Sequence, residues 1–163
     1  MIENCKSYCM KKKILLEGIV GLFVLLWFYT GLSKYIEFDS FKHDMYNQPF
    51  PNWFETIVIT LLPPIEIITA LLLLFNRTIK KGLRISLILM LIFTIYTTAV
   101  LAGAFAKTPC GCGGVIRSLN WWQHLVFNLV FTTLAIIALR LHNKQDNYKT
   151  SFANRGQPKT LTE

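Results

Sequence analysis

Four blocks of about twenty mostly apolar residues alternate with polar or basic segments, and this alternation limits the fold more than any other feature of the chain. They cover residues 14–32, 54–75, 83–104 and 121–141. A helix rises about 1.5 Å per residue, so each stretch is long enough to cross a hydrocarbon layer of about 30 Å. The stretches are apolar nearly all round and lack the one-sided stripe of a soluble bundle, which sets the soluble reading aside. Of the 163 residues, 53% are hydrophobic and only 16% charged, as expected of a chain dissolved in lipid. The expected fold class is all-α, a four-helix transmembrane bundle over residues 14–141. A basic tail (1–13) precedes it and a polar tail (142–163), expected to be disordered, follows.

The first stretch follows Lys11, Lys12 and Lys13, as a cleaved leader would. It ends in Trp27-Phe28-Tyr29-Thr30-Gly31 with no small-residue cleavage site, so it reads as a retained helix. The net charge of +8 invites a nucleic-acid reading until the basic residues are sorted by segment. Thirteen of the seventeen fall in the N-terminal tail, the second loop (Arg77, Lys80, Lys81, Arg84) and the C-terminal tail. The first and third loops hold only Lys34, Lys42, Lys107 and Arg117. By the positive-inside rule both termini are cytoplasmic, those two loops are external, and the basic charge reports topology and not nucleic acid. The expected location is the inner (cytoplasmic) membrane, multi-pass, with the third loop on the periplasmic or outer face.

The first loop carries Tyr35, Phe38, Phe41 and Met45 at helical spacing, which predicts a short helix in the membrane interface, stopped by Pro49 and Pro51. Pro63 and Pro64 remove two backbone donors from the second span, so a kink or break is expected near its middle. Glu66 follows at once. Its carboxylate either satisfies N–H groups freed by such a break or marks a site, since an ionisable residue at this depth is costly. Thr94, Tyr96, Thr97 and Thr98 in the third span read as interhelical hydrogen-bonding residues, and Ala99, Gly103 and Ala104 as small packing residues.

The segment richest in chemistry is Thr108-Pro109-Cys110-Gly111-Cys112-Gly113-Gly114, in the loop assigned to the oxidising side. Two cysteines one residue apart can close a disulfide only over a sharply folded backbone, which Gly111 permits. Such a bond is expected to be strained, oxidising and exchangeable. His124 stands twelve residues after Cys112, and it shares a helix face with Trp121 and Asn128. From there it would take a thiol proton or stabilise a thiolate, or, as polar stripes on membrane helices often do, simply hydrogen-bond a neighbouring helix. The candidate catalytic residues are therefore Cys110, Cys112 and His124. A structural or intermolecular disulfide stays open for the pair, as does copper(I), which accepts two thiolates where zinc wants about four ligands. Cys5 and Cys9 lie on the reducing side and read as incidental.

In these features the chain resembles the MauE/DoxX family of small membrane proteins, over about residues 14–141. The matching residues are Gly31-Leu32-Ser33-Lys34 closing the first helix, Phe38 and Phe41 after it, Pro64 with Glu66 in the second, and Cys110-Gly111-Cys112 before Trp121 and His124. MauE-like members often carry Phe after the second cysteine, where this chain has Gly113 and Gly114. The resemblance implies a part in methylamine metabolism, in maturation or disulfide formation of an exported dehydrogenase subunit. The DoxX side of the resemblance implies respiratory oxidoreduction, with a membrane quinone as cofactor. The resulting reading is a redox-associated membrane protein that supports thiol-disulfide exchange or maturation of exported proteins. Its expected partners are the lipid bilayer and an exported thioredoxin-like or dehydrogenase protein. The rival readings are a non-enzymatic anchor or chaperone subunit of a quinone-linked oxidoreductase, and a copper(I)-handling protein.

Overall fold

The computed structural model describes residues 2–48, 50–104 and 120–155. They form α1 (Ile2–Ile36), α2 (Phe38–Tyr46), α3 (Asn52–Leu74), α4 (Ile79–Leu101) and α5 (Trp121–Arg155), with no strand among the described residues. Among the described residues four segments are long and apolar enough to cross a membrane: Met10–Ile36, Asn52–Leu74, Ile79–Leu101 and Trp121–Lys144. At 23 residues each, α3 and α4 are about 34 Å long, close to the thickness of a hydrocarbon core.

Both ends of the chain are more helical than expected. The basic tail continues α1 from Ile2, and α5 runs on to Arg155 across residues 142–155, expected to be irregular. No Pro or Gly interrupts 142–155, and the next residue, Gly156, is the first helix breaker. Lys80 at the start of α4 lies 3.9 Å from Asp146 on that extension.

The core is built by a stripe on α1. Leu16, Ile19, Val20, Phe23 and Trp27 recur at the helical period and meet Ala70 and Leu73 of α3, Leu83 and Met90 of α4, and Ala135 and Ala138 of α5. Trp27 cannot be buried with its indole N–H unsatisfied, and it donates to Ser86 Oγ at 2.8 Å. The α3–α4 corner is equally close: a Cβ at Gly82 would lie 2.9 Å from the Leu73 side chain.

Two expectations about helix ends are corrected. Of the kink or break expected in α3, the break does not occur: the helix continues through Pro63 and Pro64. Membrane helices tolerate such prolines, and the apolar residues on either side have no better state in lipid than helix. Gly103 and Ala104 are exposed and act as a helix terminator instead of a packing surface. Gly103 has φ +71° and donates to Val100 O, while Ala104 N–H donates to Ala99 O at 3.0 Å. This pair of bonds closes α4 in a Schellman turn, which needs the left-handed residue that glycine supplies.

The expected short helix after the first span is present as α2, but its inner face is narrower than the sequence pattern. Phe41 and Met45 are buried against Ile59, Val58 and Leu62 in the first half of α3, whereas Phe38 is exposed and Tyr35 belongs to α1. α1 itself stops beside the middle of α3. A Cβ at Gly31 would lie 2.8 Å from Ile67 Cγ1 and 3.3 Å from both Glu66 Cβ and Pro63 O. α2 fills the space that α1 leaves along the rest of α3.

Candidate functional site

The close approach at Gly31 brings Lys34, one turn on, against Glu66. Lys34 Nζ donates to Glu66 Oε1 at 2.8 Å, to Oε2 at 2.9 Å and to Thr30 O at 3.2 Å. The two side chains are 8% and 1% exposed. Each fills a demand of the other: a buried charge is tolerated when an opposite charge and hydrogen bonds replace its water. Phe41 of α2 covers the ammonium, its ring centre 5.8 Å from Nζ. Lys34 is thus an inward residue in the last turn of α1 and not a loop cation. Glu66 holds a lysine and does not cap a broken helix.

The ion pair forms one wall of a cavity of about 320 Å³ bounded by all five helices. Most of its surface is apolar and much of it aromatic, from Trp27, Phe41, Phe50, Phe54, Phe93, Tyr96, Trp121 and Phe127. Polar groups enter at few points. Tyr96 donates its hydroxyl hydrogen to Gln48 Oε1, tying α4 to the chain two residues beyond α2. Asn128 donates to Thr97 Oγ1 at 3.1 Å, and Thr94 and Thr132 hydroxyls lie 3.3 Å apart, so α4 and α5 are linked as the threonines led us to expect.

His124 lies on the cavity wall with Trp121 and Asn128, the face on which the sequence put all three. The His124 ring sits 6.0 Å from that of Trp121, which in turn meets Tyr96 edge-on at 6.4 Å. Cys110 and Cys112 lie outside the described residues. So does the rest of 105–119, the segment that leaves the chain at Ala104 and rejoins it at Asn120. Cys5 and Cys9 fall in the first turns of α1. Among the described residues no three His, Cys, Asp or Glu side chains come together to hold a metal ion.

Sequence reasoning missed Lys34, Tyr96 and Gln48 as members of one site. A usable signal was present for Lys34 alone: a glycine one turn before a lysine at the end of an apolar run, with a carboxylate deep in another apolar run.

The comparisons with known proteins agree with this architecture. The family model described as "Methylamine utilisation protein MauE" matches residues 12–141, from the first span to the fourth. No curated protein and no solved structure was found to match the chain. A match over most of the length, on a frame of four apolar helices, places the protein: the chain is a multi-pass membrane protein and belongs to the MauE family.

Proposed function

We propose that this MauE-family protein supports thiol-disulfide exchange during maturation of exported proteins, with Cys110 and Cys112 as the exchanging pair. Both termini face the cytoplasm and the cysteine segment faces the outer compartment of the inner membrane, as the segregation of lysine and arginine indicates. The observation that carries the reading is His124 on the wall of the cavity, at the end of the bundle where residues 105–119 leave α4 and enter α5.

In the forward step a substrate thiolate attacks one sulfur of the Cys110–Cys112 disulfide. A second substrate thiol then resolves the mixed disulfide. The substrate gains one S–S bond, and both cysteines end as thiols holding the two electrons and two protons it lost. His124 takes the proton of the attacking thiol and gives it to the cysteine sulfur that leaves. Turnover passes the electron pair to an exported thioredoxin-like partner or to a quinone in the bilayer.

The test is thiol labelling of intact cells with a membrane-impermeant maleimide, before and after mild reduction, in the wild type and in Cys110→Ser and Cys112→Ser. The proposal expects loop labelling only after reduction and mixed disulfides trapped in one single variant. Full labelling without reduction would show that the pair does not rest oxidised, and would favour a scaffold or copper(I) role.

A further inference from the structure

The cavity at the ion pair has the attributes of a ligand site, and the chemistry of its walls specifies the ligand. Its volume of about 320 Å³ stands at the lower end of the range typical of small-molecule pockets. Ile92 belongs to its wall and is also 56% exposed, in the middle of α4. At that height the Ile92 side chain stands between the cavity and the flank of the bundle, where the surroundings are lipid, so a bilayer-dissolved molecule has a short path in that does not cross water.

The polar pole narrows the choice. A lysine ammonium has three donors, and Lys34 commits one each to Glu66 Oε1, Glu66 Oε2 and Thr30 O. Each Glu66 oxygen has a second lone-pair direction. Taken together the pair is electrically neutral and offers acceptors, with no ammonium hydrogen to spare. It suits a hydroxyl that donates and not an anion that needs a cation. The aromatic side chains around it, Trp27, Phe41, Phe93 and Trp121 among them, suit a flat ring. We propose that this cavity binds a bilayer-dissolved aromatic lipid through its phenolic hydroxyl, which donates to the Glu66 carboxylate while the ring packs among the aromatic side chains. The site does not depend on the cysteine chemistry.

The test uses the full chain in phosphatidylcholine nanodiscs, with 4-nonylphenol as probe and nonylbenzene as the same molecule without the hydroxyl. Trp27 and Trp121 line the cavity, so tryptophan fluorescence reads occupancy. Saturable binding is expected, with the phenol at least about tenfold tighter than nonylbenzene, since a hydrogen bond to a charged acceptor is being compared with none. The double variant Lys34→Met/Glu66→Gln keeps the site neutral, and should reduce that preference to about threefold or less. Val58→Phe, which fills the cavity and spares the ion pair, should remove saturable binding of both probes. A linear, unsaturable response, equal binding of the two probes, or a Val58→Phe variant that binds like the wild type would each overturn the proposal. The last arm decides the matter even if the double variant fails to fold.

Discussion

Removing one member of the Lys34–Glu66 pair should damage the protein more than removing both. Lys34→Met leaves a carboxylate that is 1% exposed with no cation, and Glu66→Gln leaves an ammonium that is 8% exposed with neutral partners only. Stranding one charge of a buried pair costs about 3–5 kcal/mol, whereas exchanging the whole pair for neutral side chains of similar size is often near neutral. Each single variant should therefore lose about 3–5 kcal/mol and the double variant about 1 kcal/mol or less, a coupling of at least about 5 kcal/mol when the singles are summed. The assay is reversible unfolding in mixed micelles, followed by circular dichroism, in a four-member double-mutant cycle. Neutral interhelical hydrogen bonds in membrane proteins average only about 0.6 kcal/mol in such cycles. A coupling of that size would refute the argument that both groups are charged and buried against each other. So would a double variant as unstable as the sum of the singles.

Two further outcomes follow from helix contacts, and each can be read in the same unfolding assay. Gly31→Ala puts a methyl group 2.8 Å from Ile67 Cγ1 and 3.3 Å from the backbone oxygen of Pro63, so it should cost about 1–3 kcal/mol. Gly18→Ala and Gly21→Ala meet nothing within 4 Å and should be neutral or stabilising by about 0.5–1 kcal/mol, so an equal loss at all three positions would remove the close-approach argument. Trp27→Phe should cost more than the matching loss in Trp27→Phe/Ser86→Ala, because the first alone leaves a fully buried hydroxyl without its indole donor, a difference of about 1–2 kcal/mol.

The sequence made the frame legible because lipid leaves a chain few choices: a run of about twenty apolar residues has to satisfy its own backbone, and a helix does so. The polar stripe Trp121–His124–Asn128 was legible for the same reason, since such groups turn inward. Lys34 was misread because a charge just past the end of an apolar run was taken to lie in the loop. That rule holds when the charge meets water, and fails when a carboxylate on another helix stands where the water would be. Nothing in the spacing of residues 34 and 66 reveals that they touch. The close packing at Gly31 decides it. Pro63 and Pro64 misled in the opposite direction, because a local preference against helix was outweighed by the cost of open backbone in an apolar solvent. Gly103 looked like a packing residue by composition, and its role as a terminator rests on its positive φ and the two hydrogen bonds that close the helix.

The pairing of Lys34 with Glu66 also bears on how the chain is made. Segments enter the membrane in order, so α1 arrives with the Lys34 ammonium near its end before Glu66 is available to it. α3 in turn brings a carboxylate and two prolines, and a charged residue at the middle of a lone helix costs about 2.5–3.5 kcal/mol on insertion. Each helix carries what the other lacks. A chain whose α3 fails to meet α1 leaves both charges stranded, so the ion pair makes correct docking of the two helices part of the energetics of assembly.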